Sequence, residues 1–366
     1  MSMRDFPPSF WEELPRDPRP IWIWGTGNGA DKIMDEANRF GIPVAGVFAS
    51  DGFVRNRFFR GYPVLSLSQV RERCGDDIVI LLAFGSNRPD VMALIREMDT
   101  RHTLIIPEVP LFGGDLFDRR YAQSHRNELD NVRSMLEDER SRELFDSAVL
   151  FRLTGRLSCL SDTEPFGVTL ASLPGLGNVR TALDGGAFRG DTARLMADVL
   201  HPQKIIAVEA DPKTAEKLAA YAEEETRAAV VPVNAALWDA DGFVSYASGG
   251  SRGSGQEGKN RRSRETLVPS VTLDTLLERD SADFIKLDVE GAEERAIMGG
   301  GTVILRDRPS MAVSLYHRTD DLWRLPQLVH GLLPRHRLYL RRVPCIPMWD
   351  LILWAVSPAV RPAVGP

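Results

Sequence analysis

At 366 residues the chain exceeds the size at which one hydrophobic core keeps growing, so two domains with connectors are expected. Its 43% hydrophobic and 26% charged residues exclude disordered and fibrous classes. The formal charge of −6 argues against nucleic acid as a partner, and the three cysteines, Cys74, Cys159 and Cys345, are too scattered for a disulfide framework or a zinc site.

Residues 1–20 are acidic and proline-rich without an apolar stretch, and read as an N-terminal tail. The longest apolar run, residues 78–84, is too short to span a bilayer, so a cytoplasmic protein with no membrane span is expected. Residues 21–24 (Ile-Trp-Ile-Trp) form a strand pattern that ends in Gly25-Thr26-Gly27-Asn28-Gly29-Ala30 and leads into a helical one. Strands at 44–48 and 78–84 follow, the second ahead of a helix over 90–98. Alternating strands and helices predict a small doubly wound α/β domain over 21–110. Gly25, Gly27 and Ala30 fit G-x-G-x-x-A, with Asp51 at the next strand end, as in a nucleotide-binding turn.

Within 111–178, Leu129, Val132, Leu136, Leu144, Phe145 and Ala148 recur at helical spacing, which predicts a helical connector; an arm for a homodimer is the alternative. The second α/β series occupies 179–356. Its strands, 179–183, 204–208, 229–233 and 284–287, end on Asp184, Glu209, Asn234 and Asp288. Open α/β sheets bind ligands at those ends, so these four residues define a candidate site. Further strands are expected at 311–315 and 349–356, the last an antiparallel edge strand, ahead of a proline-rich tail at 357–366. The stretch 249–265, with Arg252, Lys259, Arg261, Arg262 and Arg264, reads as a solvated insertion or as a lid over an anionic substrate.

The turn Asp184-Gly185-Gly186-Ala187-Phe188-Arg189-Gly190-Asp191-Thr192 follows a strand and opens a helix, so its backbone can approach a ligand closely. Glu209, 25 residues beyond Asp184, is placed to accept hydrogen bonds from a ribose. An acidic residue at the head of the turn repels a diphosphate and suits an ammonium group, which favours S-adenosylmethionine over NAD.

The region 179–356 resembles the FkbM family of methyltransferases. The resemblance rests on Leu183-Asp184-Gly185-Gly186-Ala187-Phe188-Arg189-Gly190-Asp191-Thr192, Val208-Glu209-Ala210-Asp211-Pro212, Asn234-Ala235-Ala236-Leu237, Val271-Thr272-Leu273-Asp274-Thr275-Leu276 and Phe284-Ile285-Lys286-Leu287-Asp288-Val289-Glu290-Gly291-Ala292-Glu293. The family commonly has Asn where Phe188 stands. The resemblance implies a class I Rossmann-like methyltransferase sheet and S-adenosylmethionine-dependent O-methylation of a sugar, glycan or natural product, a small-molecule or glycan substrate. By position it assigns Asp184, Gly186, Ala187, Gly190, Thr192, Glu209, Ala210, Asn234, Ala235 and Asp288 to the cofactor. The region 21–110 resembles the small Rossmann-like domains that precede some sugar-modifying enzymes and can hold the nucleotide of an activated sugar.

Displacement at a sulfonium by a hydroxyl needs a base or a metal beside the methyl group. His317 follows a strand on the ligand edge, so a catalytic Asp288–His317 pair is expected, with His317 taking the proton; Mg or Mn held by Asp288, Glu290 and His317 is the alternative. Glu293 reads as a helix-start carboxylate. The rival functions are an NAD-dependent oxidoreductase and a non-catalytic sugar-nucleotide-binding protein.

Overall fold

The computed structural model describes residues 6–54, 57–110, 112–248 and 264–358. The N-terminal sheet contains β1 (Ile21–Trp24), β2 (Val44–Ala49), β3 (Phe58–Phe59), β4 (Tyr62–Ser66), β5 (Val79–Leu82) and β6 (Thr103–Ile105), in the order β3-β4-β2-β1-β5-β6. All pairings are parallel except β3–β4. Every residue of β1 and β5 is buried, as continuous apolar runs in a sheet covered on both faces must be. The helix Asn28–Arg39 turns Ala30, Ile33, Met34 and Ala37 onto this sheet.

The expected tail departs from the sequence reading. A capping box of Ser9 and Glu12 starts the short helix Phe10–Glu13, and Phe10, Trp11 and Leu14 are buried in the core of the N-terminal sheet. Three apolar side chains on one helical face outweigh the surrounding prolines and acids.

The C-terminal sheet contains β7 (Thr181–Gly185), β8 (Lys204–Glu209), β9 (Ala229–Asn234), then β13 (Phe284–Leu287), β14 (Ser310–Ser314), β15 (Arg337–Arg342) and β16 (Leu351–Val356). Between them, β10 (Ala236–Leu237), β11 (Gly242–Ser248) and β12 (Arg264–Val271) form a three-stranded flap, β10-β12-β11. The seven strands run β15-β16-β14-β13-β7-β8-β9. β16 is antiparallel as expected, but it lies inside β15, which forms the rim. β15 reads Arg-Leu-Tyr-Leu-Arg-Arg and escapes detection because its buried cations are satisfied locally: Arg341 pairs with Asp138, and Arg342 donates to the carbonyls of Leu160 and Cys345. The insertion residues 249–263, with Arg252, Lys259, Arg261 and Arg262, lie outside the described residues, as do 359–366.

The helices Arg119–Ser124, Arg126–Met135 and Glu139–Thr154 occupy the stretch between the two sheets. Leu129, Val132, Leu144, Phe145 and Ala148 share one apolar cluster with Trp24 and Ile80 of the first sheet and Leu183, Ile285 and Val313 of the second. The two sheets are therefore fused through a common core. Among the described residues no helix is long and apolar enough to cross a membrane.

Candidate active site

A cleft opens at the C-terminal ends of β7, β8 and β13, with the three-stranded flap on one side. At its floor, Gly186 (φ +73°) meets the end of β13 so closely that a Cβ there would lie 1.9 Å from the Asp288 carbonyl oxygen. Only glycine permits this approach. Gly190 (φ +88°) serves packing instead, since its Cβ would strike the Tyr221 ring at 2.1 Å. Glu209 closes one end of the cleft. Its Oε2 accepts from the Phe188 N–H at 3.0 Å and its Oε1 from the Asp211 N–H at 2.8 Å. Burial raises its pKa, and those two donors oppose the rise. Asp211 in turn caps the helix Pro212–Glu224 through the Thr214 N–H.

Asp184 is placed differently from the expectation that it lines the pocket. Its carboxylate is fully buried beneath the turn, with the Lys286 ammonium 3.0 Å away. Lys286 also donates to the Gly186 carbonyl at 3.0 Å and lies 4.0 Å from Asp288. Burial pushes the Asp184 pKa up against the pull of Lys286, whereas the Lys286 pKa is raised because Asp184 and Asp288 outweigh its own burial. The lysine on β13 thus ties the glycine turn to Asp288. Ala187 is fully buried, and neither it nor Gly190 borders the cleft. Asn234 acts from outside it, donating to the carbonyls of Glu209 and Ala210 at 2.9 and 3.2 Å. Thr192, Ala210 and Ala235 do border it, with Gly186, Glu209 and Asp288.

The far end of the cleft gathers Asp288, Glu290, Tyr316 and Asp350. The Tyr316 hydroxyl donates to Asp288 Oδ1 at 3.0 Å, and burial raises the tyrosine pKa well above its ordinary value. Burial would raise the Asp288 pKa, but the charges of Lys286 and His317 outweigh it and hold it below the usual carboxylate range. Glu290 (φ +55°) and Gly291 (φ +90°) form a tight turn behind Asp288.

His317 does not border the cleft as the Asp–His reading required. It is 2% exposed and stands behind Asp288 and Glu290, with Nε2 3.6 Å from a carboxylate oxygen of each. Its Nδ1 donates to Glu293 Oε1 at 2.9 Å, which also accepts from the Val289 N–H at 2.8 Å. Burial disfavours its cation, yet Glu293, Glu290 and Asp288 together push its pKa up to about 10. An imidazolium held by three acids is no proton acceptor at neutral pH, so His317 positions the acids. Oxygen or nitrogen atoms of Asp288, Glu293 and His317 lie within 4.8 Å of one another, a spacing that could hold a cation once the histidine gives up a proton. The metal set expected from the sequence, with Glu290 in place of Glu293, is not the one that converges. Glu293 begins the helix Glu293–Met298 as expected and in addition anchors the imidazole.

The pH dependence has a definite sign. Because the folded pKa of His317 lies above its ordinary 6.5, its contribution to stability is complete below about pH 6.5 and is lost as pH rises through about 10. The unfolding midpoint of the protein should therefore exceed that of His317→Gln most at about pH 6–7, and the gap should narrow toward about pH 10 in parallel thermal melts.

The glycine turn after β1 has a different character. A Cβ on Gly29 would lie 2.6 Å from the Ala83 carbonyl oxygen, so this glycine serves packing between the helix and β5. Asp51, which the sequence places at the end of the strand after this turn, accepts from the Ser68 hydroxyl and N–H at 2.7 and 3.4 Å. Near this edge the N-terminal half grips the second: Ser86 and Ile346 exchange two backbone hydrogen bonds, of 2.7 and 3.0 Å, and Trp349, next to Asp350, covers Gly85. Lys286, Tyr316, Asp350 and the flap residue Tyr246 belong to the site and were missed in the sequence. Lys286, within an apolar strand two residues before an acidic strand end, carried the one available signal.

A seven-stranded sheet with an antiparallel strand pair at one rim, a glycine turn after its first strand and an acid ending the next defines a Rossmann-like fold of the methyltransferase type. Residues 184–342 match the methyltransferase FkbM domain family. Among solved structures, a methyltransferase FkbM from Methylobacillus flagellatus KT is similar over 96% of this chain and 94% of its own, at 18% identity and a TM-score of 0.65. The likeness covers both halves of the fold. Fibrillarin from Aeropyrum pernix, in complex with natively bound S-adenosyl-L-methionine, aligns over 52% of this chain and 73% of its own at 14% identity, with a TM-score of 0.32. A comparison with curated proteins finds no match.

Proposed function

We propose that the protein transfers the methyl group of S-adenosylmethionine to a hydroxyl of a sugar, glycan or related natural product. The observation that carries the cofactor reading is Glu209, held by two backbone donors at a strand end beside the glycine turn, with lone pairs left for both ribose hydroxyls. The flap residues Ala236, Leu237 and Tyr246 offer an apolar wall for an adenine ring. The methionine end then lies toward Gly186 and Asp288. Asp184 acts on it only through Lys286 and the turn, as the charge beneath the floor.

At the reacting end, Asp288, Glu290 and Asp350 give the mouth a negative potential. That potential favours a sulfonium and disfavours an acceptor carrying phosphate near the attacked hydroxyl, so a neutral alcohol fits best. The acceptor oxygen attacks the methyl carbon in line with the departing sulfur. The C–S bond breaks as the C–O bond forms, and the hydroxyl proton passes to Asp288, which Tyr316 and His317 hold in place. No metal enters this sequence.

Glu209→Ala should weaken S-adenosylmethionine binding more than tenfold, because each charge-assisted hydrogen bond is worth about 1.5–3 kcal/mol. Isothermal calorimetry reads the change, and an unaltered constant would remove Glu209 from the cofactor. The acceptor class is tested with methyl-deuterated S-adenosylmethionine and a panel of neutral glycosides and nucleotide sugars, read by mass spectrometry. Transfer to neutral glycosides in the presence of a chelator supports the whole reading. Transfer that stops with chelator and returns with magnesium would replace the proton route by a metal.

A further inference from the structure

We propose that Phe112, in the segment leaving the N-terminal sheet, is a positioning residue of this methyl-transfer site, sealing the imidazole–carboxylate cluster behind Asp288 from water and fixing the Glu290–Gly291 turn. Phe112 is 2% exposed, and its ring stands edge-on to His317, with centroids 5.5 Å apart and planes at 75°. On the other side it presses on the turn: a Cβ at Gly291 would lie 3.1 Å from Phe112 Cβ and 3.2 Å from its Cγ. The absence of a side chain at Gly291 lets the ring close over the cluster.

The surrounding segment is fastened at several points to the strand end that carries His317. The Thr319 hydroxyl donates to the Asp115 carbonyl at 2.6 Å. Glu108 pairs with the buried Arg152 at 3.2 Å, and Arg152 donates to the carbonyls of Thr319 at 2.7 Å and Leu315 at 3.4 Å. The same guanidinium lies 5.3 Å above the Phe117 ring.

The seal matters because Coulomb attraction in the cluster depends on a low local dielectric. His317 holds Glu293 by a hydrogen bond and Asp288 and Glu290 by charge across 3.6 Å. Water admitted beside the ring would screen those longer contacts first, releasing the two acids that border the cleft. The N-terminal half therefore supplies part of the methyl-transfer site.

The inference rests on the reading of the cleft as a methyl-transfer site, but its test does not use turnover. In the full chain labelled with ¹⁵N-histidine, the ring N–H signals of His317 should persist and exchange slowly with water. Phe112→Ala should speed that exchange about tenfold or more, while Phe112→Leu, which keeps most of the bulk, restores protection. Phe145→Ala, an equal truncation in the connector core, should leave the exchange rate within about twofold. S-adenosylmethionine affinity, read by calorimetry, should change little in all of them; a wild type that fails to bind it would sink the functional reading and leave the seal to be judged on exchange alone. If Phe112→Ala does not fold, Gly291→Ala displaces the ring from the opposite side and should give the same loss of protection. Unchanged exchange in a folded Phe112→Ala or Gly291→Ala protein, or equal acceleration by Phe145→Ala, would overturn the proposal.

Discussion

Lys286→Met should destabilise the protein by about 3–5 kcal/mol, the cost of leaving a buried charge without its partner. Asp184 is fully buried, and the Lys286 ammonium at 3.0 Å is its charge partner there. The same ammonium satisfies the Gly186 carbonyl, so its removal also loosens the glycine turn. Denaturant unfolding measures the loss. Because the cost comes from the orphaned carboxylate, the double variant Asp184→Leu with Lys286→Met should recover much of it. A double variant as unstable as the sum of the two singles would mean that the pair is worth no more than its separate packing.

The second large effect concerns rate. Asp288→Asn should lower turnover by about 10²–10⁴-fold, the usual cost of losing the group that takes a proton in the transition state. Cofactor affinity should move far less, because Glu209, which carries the ribose contacts in this reading, lies at the other end of the cleft. The substitution keeps the shape of the side chain and an acceptor for the Tyr316 hydroxyl. A rate within a few-fold of wild type would move the proton-accepting role from Asp288 to Glu290 or Asp350. Asp288→Ala would further separate hydrogen bonding from proton transfer.

The fold was legible where strands are apolar runs that end in turn residues, whether buried as β7, β8 and β13 are or largely exposed as β9 is. β7, β8, β9 and β13 fall within two residues of their expected positions because each is an apolar run closed by an acid, an amide or a glycine. β15 was not legible, since its arginines are neutralised by Asp138 and by carbonyls distant in sequence. The helix Phe10–Glu13 was hidden for the opposite reason, a few apolar residues within a polar, proline-rich stretch.

The site divides in the same manner. Glu209 and Asp288 stand at strand ends, where local pattern places them, and both border the cleft. Asp184 stands at a strand end too, but the pattern could not reveal that a lysine 102 residues later lies above it and that the glycine turn covers it. His317 was found by position and misread in role. Its protonation depends on three acids from the segment 288–293, a condition set by the tertiary arrangement and absent from the local sequence. Phe112 was invisible, being brought to the site from the N-terminal half, and so was Asp350, because the pairing of β16 with β14 places it beside residues far from it in sequence.

The central claim is that this cleft binds S-adenosylmethionine and that no dinucleotide takes its place. Calorimetric titration of the full-length protein with S-adenosylmethionine and, separately, with NAD tests it most directly. The account predicts one-site binding of S-adenosylmethionine that Glu209→Ala weakens more than tenfold, and no heat with NAD. Binding of NAD with no response to S-adenosylmethionine would contradict it.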